Sequence, residues 1–179
     1  MTDIQSPVPD PADAGAKAPG ISRAIYGMPM FATLLASDLG ATVAWYTAGL
    51  GFIELFAIPG PHGGPVLVHL RRWQFQDLLV RPASEPVAPG TGCTLSFAAV
   101  YDELDALAEQ ARAHGGGRVD GPADTPWNTR DLTTVDPDGN VVILTAARPA
   151  GLTDAAFSGR LRQWSRHQGL QQPGSRSDR

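Results

Sequence analysis

Trp127-Asn-Thr-Arg130, the strand-like Asp131-Leu-Thr-Thr-Val135, the turn Asp136-Pro-Asp-Gly-Asn140 and the apolar Val141-Val-Ile-Leu144 form the stretch on which the reading of this chain turns. A Trp-led loop feeds a short strand, a tight reversal follows, and an apolar strand returns. The reversal has the residues it needs. Pro137 presets φ, Gly139 and Asn140 tolerate positive φ, and the aspartate side chains can bond nearby backbone amides. Alone this is a β-hairpin. Its weight comes from matching pieces in the first half of the chain.

Outward from that hairpin, two units share one grammar. The first predicts a strand over 29–36, a helix over 38–49 and strands over 52–58, 65–71 and 75–80. The second predicts a strand over 94–100, a helix over 102–114 and strands over 117–121, 130–135 and 141–146. Each is βαβββ. Ser37 is placed to N-cap the first helix, with Asp38 near the positive end of its dipole and Gly49 or Gly51 closing it. Leu39, Val43, Tyr46 and Leu50 form its apolar face. Asp102 is placed to cap the second helix, Leu104, Leu107, Ala108 and Ala111 form its stripe, and Gly115 to Gly117 end it. Trp45, Tyr46 and Phe52 read as core. Residues 82–92, rich in Pro, Ser, Glu and Gly, read as the linker between modules over 27–82 and 91–148. Phe157, Leu161 and Trp164 recur at helical spacing and predict a further amphipathic helix within 149–169, Trp164 packing it onto the body. Residues 1–22 and 170–179, without periodicity, read as a disordered leader and tail around a domain over 23–148.

Composition narrows the function classes. With 179 residues, 42% of them hydrophobic, the chain has material for one cored domain or two small packed modules. It has no run of about 18 apolar residues, so no membrane-spanning helix is expected. The N-terminal residues lack the basic start and apolar stretch of a signal peptide, and the single cysteine, Cys93, excludes an intramolecular disulfide. The expected compartment is the cytoplasm. A net charge of −4 without a Lys/Arg block argues against a nucleic-acid partner and suits a cationic ligand.

Ser37-Asp-Leu39, Val43-Ala-Trp-Tyr46 and Gly49-Leu-Gly-Phe52 resemble the first module of the vicinal oxygen chelate superfamily, which contains glyoxalase I, extradiol dioxygenases and bleomycin resistance proteins. Pro126-Trp127 with Arg130, then Asp136 to Asn140, resembles its second module. The resemblance covers about residues 27–148. It implies an α+β fold in which two βαβββ modules form curved mixed sheets around a ligand cavity, with the C-terminal helix added.

Metal-using members of that superfamily take ligands from cavity-facing strand positions, where imidazole or carboxylate lone pairs hold a divalent ion at about 2.0–2.2 Å. The resemblance carries those positions onto Phe31, Thr94, Ile143 and either Gln76 or Asp77. Phe31 and Ile143 cannot coordinate. Of the four histidines, His62 lies in a Pro/Gly loop, His114 near a helix end and His167 in the tail. His69 alone is on a predicted strand, and a His69–Asp77 pair leaves a metal with too few anchors. The expectation is no metal and no cofactor.

Without a metal, the resemblance points to the bleomycin-resistance branch, in which a dimer holds a large planar, often cationic compound in clefts between its chains. Indole and phenyl faces supply stacking area, and a cation gains from the ring quadrupole. The candidate ligand-binding residues are Phe31, Thr33, Trp73, Gln76, Asp77, Thr94, Trp127, Arg130 and Ile143, with no catalytic residue. Phe31 and Ile143 serve equally as core fillers. Trp73, between Arg72 and Gln74, suits a cleft wall, an exposed hairpin or a dimer contact. Asp77, within an apolar strand, needs a partner, and Arg130 suits pairing with an acid as well as gripping a ligand. Trp127, in a polar loop, has no evident local packing partner. The branch's Gly after Pro-Trp is Asn128 here, followed by Thr129, which bears on the shape of the loop. The expected function is resistance by sequestration of an aromatic or cationic small molecule in a homodimer. The alternative is a lyase, isomerase or dioxygenase with an atypical metal or none, using Asp77, His69 or Tyr101. No base paired with an orienting group is legible in the sequence to support it. A third reading is a structural or regulatory dimer whose cavity is filled.

Overall fold

The computed structural model describes residues 20–24, 30–61, 63–88 and 94–167. The first module comprises β1 (Ala32–Ala36), α1 (Leu39–Ala44), β2 (Ile53–Pro59), β3 (Pro65–Arg71) and β4 (Asp77–Pro82). The second comprises β5 (Thr94–Ala98), α2 (Leu104–His114), β6 (Arg118–Asp124), β7 (Thr129–Val135) and β8 (Val141–Ala147). A last helix, α3 (Ala155–His167), follows. The α+β reading holds. Each module folds into a four-stranded mixed sheet, in the orders β1-β4-β3-β2 and β5-β8-β7-β6. In each, the first strand pairs parallel with the last and the other pairs are antiparallel. No described helix is long and apolar enough to cross a membrane. The leader residues 1–19, the tail 170–179, His62, Cys93 and the Trp164 side chain lie outside the described residues. Ser22, assigned to the leader, is tied to β3, its carbonyl accepting from Arg71 Nη1 at 3.0 Å.

Both modules share one core. Tyr46, Phe52 and Phe97 meet edge to face at centroid distances of 5.5 and 5.4 Å, carrying the apolar contact from the first module into the second. Trp45, Tyr46 and Phe52 are buried as expected, with Leu70, Leu78, Leu132 and Leu144 beneath them. α1 continues into a π-helical turn, Trp45–Gly49, in which Leu50 N–H bonds the Trp45 carbonyl at 3.2 Å. Gly51 follows at φ 74° and Gly115 ends α2 at φ 72°, conformations that favour glycine.

Two caps differ from expectation. Asp38, not Ser37, caps α1: its Oδ1 accepts from Ala41 N–H at 2.9 Å, while the Ser37 N–H is donated to Asp138 Oδ1 at 2.9 Å. Asp102 does not cap α2, because the chain enters that helix through a 3-10 turn, Tyr101–Glu103, whose Glu103 N–H bonds the Val100 carbonyl.

The opening hairpin is the joint between modules. Asp136 Oδ1 accepts the N–H groups of Asp138 and Asn140, as the turn reading expects. Its Oδ2 accepts Tyr46 O–H at 2.9 Å, and Asp138 Oδ2 accepts Thr42 O–H at 2.8 Å. Two carboxylates of the second module thus fasten α1 of the first. A second tight point is Gly117, where a Cβ would meet the Val135 carbonyl oxygen and come within 2.7 Å of the Trp45 ring. Neither the backbone nor a fully buried indole can retreat cheaply. Gly117→Ala is expected to cost about 2–3 kcal/mol of stability, read as a lower urea midpoint at unchanged slope.

Candidate functional site

Helices and core cover one face of each sheet, and strand alternation turns the other set of side chains toward the open face. In the first sheet Ala32 pairs with Leu78 and Thr33 with Leu79, so Asp77 rather than Gln76 shares the open face with Phe31 and Thr33. Leu35, Phe56 and Ile58 stay 50, 40 and 45% exposed on that face. Asp77 itself is closed off. Its Oδ1 lies 2.7 Å from His69 Nε2 and accepts Arg71 Nε–H at 2.8 Å, and all three side chains are buried. Arg71 Nη1 also donates to the Ser22 and Ala24 carbonyls, drawing residues 20–24 over this corner. Phe56 stands edge-on to His69 at 5.0 Å. The His69–Asp77 pair weighed in the sequence as a ligand set is therefore formed, as an imidazole–carboxylate contact. It shares its carboxylate with an arginine, and all three side chains are buried.

Two expected site residues turn away from any cleft. Trp73 is 3% exposed, because Arg72 covers its ring at 4.7 Å and itself turns inward to donate to the Ala98 carbonyl. Burial pulls the Arg72 guanidinium down to about 10, opposed by the nearby Glu103 carboxylate, so it stays charged at neutral pH. Arg130 reaches the helical side of its sheet, where Nη1 and Nη2 each bond an Asp105 carboxylate oxygen at 3.0 Å and the guanidinium lies 5.3 Å from the Tyr101 ring. Tyr101 is thereby a packing surface for that ion pair.

The remaining candidates divide between two cavities rather than sharing one. A cavity of about 270 Å³ at the module junction is lined by Phe31, Gln76, Asp77 and Thr94, with Met30, Phe75 and Ser96. Gln76 Oε1 is buried there without a hydrogen-bond partner among the described residues. A larger cavity, about 480 Å³, lies on the open face of the second sheet and is lined by Trp127, Ile143, Asp131 and Thr133, with Asp120 and Asp124. Thr33 lines neither.

The larger cavity has a built wall. Thr133 pairs with Ile143 and Asp131 with Thr145 across β7 and β8, so these four form adjacent rows on one face. Asp131 Oδ1 accepts the Thr129 and Thr145 hydroxyls at 2.8 and 2.6 Å. Trp127 stands at the rim, 56% exposed. Asn128 behind it adopts φ 66°, the left-handed conformation a glycine would supply. Its side chain then does what glycine cannot: Oδ1 accepts Asp154 N–H at 2.6 Å and Nδ2 donates to Ser158 Oγ at 3.0 Å. The loop bearing Trp127 is thus latched to the start of α3. Asp131 escaped the sequence reading, although alternation with buried Leu132 and Thr134 assigns it to the face of Ile143.

These residues do not fit the divalent ion of the metal-using relatives. Phe31 and Ile143 offer no lone pair, Asp77 is committed to His69 and Arg71, and Thr94 and Gln76 are weak neutral donors. Among the described residues no three His, Cys, Asp or Glu side chains come together as a ligand set.

The family model described as Glyoxalase/Bleomycin resistance protein/Dioxygenase superfamily matches residues 29–144. Among solved structures, the chain is similar to the fosfomycin resistance protein FosX of Listeria monocytogenes, at 17% identity and TM-score 0.54, covering 69% of this chain and 95% of that one. TioX of Micromonospora sp. ML1 is similar at 22% identity and TM-score 0.52, over 68% and 99% of the two chains. A family enzyme of Burkholderia phytofirmans PsJN is similar at 20% and 0.52, over 65% and 96%. No curated protein matches the chain in sequence.

Proposed function

We propose, from the premise that the chain belongs to the Glyoxalase/Bleomycin resistance protein/Dioxygenase superfamily, that it sequesters an aromatic, antibiotic-like small molecule and confers resistance without turning it over. The observation that carries this reading is the cavity of about 480 Å³ beneath a half-exposed Trp127, floored by Ile143 where metal-using relatives place a ligand. An indole face over an apolar floor rewards a flat ring system, and cavities of this size suit drug-sized compounds. One structural neighbour is by description a fosfomycin resistance protein; at 17% identity it lends the fold alone.

The working unit in this proposal is a homodimer. Leu35, Phe56 and Ile58 form an exposed apolar surface on the open face of the first sheet, and a second copy laid against it would remove that surface from water. Its partner surface would be the open face of the second sheet, so Phe31 and Gln76 of one chain would approach the Trp127 cavity of the other.

The test is a thermal-shift screen of aromatic antibiotics and small oxo-acids, with and without chelator. The expected result is a rise in Tm with an aromatic compound that chelator does not alter. Trp127→Ala should weaken that compound's binding by about 10- to 100-fold while leaving the unliganded Tm in place. Stabilisation that appears only with added divalent metal would overturn the proposal in favour of metal-dependent chemistry.

A further inference from the structure

The cavity under Trp127 has a chemical bias that stacking alone does not use. Asp131 is partly buried among its wall residues, with one oxygen occupied and one open. Oδ1 is held by the Thr129 and Thr145 hydroxyls, and the Thr129 hydroxyl is in turn 2.8 Å from that of Thr125. This relay fixes the carboxylate in one orientation. Oδ2 has no hydrogen-bond partner among the described residues.

Among the described residues Asp131 makes no ion pair. Arg130, adjacent in sequence, is on the opposite face with Asp105, and Arg148 bonds Asp124 at 3.1 Å. A carboxylate partly removed from water is costly unless its lone pairs find donors. The relay already joins β7 to β8 through Oδ1, so holding the strands together does not account for the open Oδ2. A charged N–H donor is the strongest partner available to it, and a cation there also gains from an indole face nearby.

We infer that Asp131 is the anchoring residue of this cavity, and that the ligand is an aromatic cation whose protonated amine or amidinium meets Asp131 Oδ2 while its ring system lies against Trp127. The inference rests on the reading that an aromatic compound binds beneath Trp127, and narrows that compound to one chemical class. Ile143 and Thr133 set the depth to which the ring system enters, being the floor residues beside Asp131.

Two dyes of one ring skeleton test it: 9-aminoacridine, protonated at neutral pH, and acridine, uncharged there. Fluorescence titration of the full chain is expected to show 9-aminoacridine binding about ten-fold tighter or more, a preference that shrinks as salt screens the charge. Asp131→Asn retains an acceptor for the two threonine hydroxyls. It should erase the preference while changing acridine affinity by less than about two-fold. Glu109→Gln, on the exposed outer face of α2 and away from the cavity, should keep the preference. Should Asp131→Asn fail to fold, a wild-type preference indifferent to salt still overturns the anchor. Equal affinity of the two dyes, a preference indifferent to salt, or one that survives Asp131→Asn would overturn the anchor and leave the aromatic reading standing. Failure of both dyes to bind would overturn the two together.

Discussion

Asp136→Ala is expected to lower the unfolding free energy by about 3–5 kcal/mol, among the largest single losses this chain can suffer. The carboxylate is 4% exposed and accepts four hydrogen bonds, from Asp138 N–H, Asn140 N–H, Asn140 Nδ2 and Tyr46 O–H. Alanine deprives the turn of its organising acceptor and strands a buried phenol in the other module. The two losses reinforce each other, because the turn is held in the shape that presents Asp138 to Ser37 and Thr42. Chemical denaturation read by both far-UV and near-UV signals checks the prediction. A loss below about 1 kcal/mol, the size of one ordinary hydrogen bond, would show that Asp136 is not a fastening between the modules.

The same contact sets an alkaline limit. Burial, and then the charge of Asp136, pushes the Tyr46 hydroxyl far above its usual value of 10, so the folded state keeps the proton that the unfolded chain releases. Stabilisation from a raised group is complete below the unfolded value and is lost as pH climbs past it. Stability should therefore fall from about pH 10 upward, and denaturation midpoints of Tyr46→Phe should fall less steeply over the same range.

Much of the fold was legible because its signals are local. The reversal at Asp136 to Asn140 follows from backbone preferences of Pro, Gly and Asn, and the strand returning at Val141 follows from its apolar run. What escaped was tertiary. Asp136 supplies the expected turn bonds with one oxygen, but the partner of the other, Tyr46, is 90 residues away. Trp73 between Arg72 and Gln74 suggested a residue facing solvent, whereas Arg72 folds inward to the Ala98 carbonyl and takes the indole with it. Thr42, polar and off the expected apolar face of α1, is fully buried because Asp138 receives its hydroxyl. The site was half legible. Trp127 and Ile143 do share a cavity, and Arg130 pairs with an acid, one of the uses the sequence offered it, while Asp131 went unremarked on the opposite face, since two neighbours on a strand cannot face the same side.

Asp77→Ala is expected to cost about 3–5 kcal/mol as well, through a different route. Asp77 is fully buried with two cationic or potentially cationic partners on one oxygen, His69 at 2.7 Å and Arg71 at 2.8 Å. Removing it takes away the carboxylate that Arg71 Nε bonds inside the buried corner, while Nη1 keeps the neutral carbonyls of Ser22 and Ala24. Asp77→Asn should lose less, since an amide oxygen can still accept from Arg71. This ordering separates two views of the His69–Asp77 pair. Were it a catalytic base with its orienting acid, selection for reactivity would leave it reachable, and substitution would abolish turnover at little cost in stability. As the countercharge of a buried arginine, it should do the reverse: urea midpoints fall in the order wild type, Asp77→Asn, Asp77→Ala, while ligand affinity per folded molecule at Trp127 is unchanged. A stable Asp77→Ala protein would remove the structural explanation of this carboxylate and return it to the list of groups that act on a bound molecule.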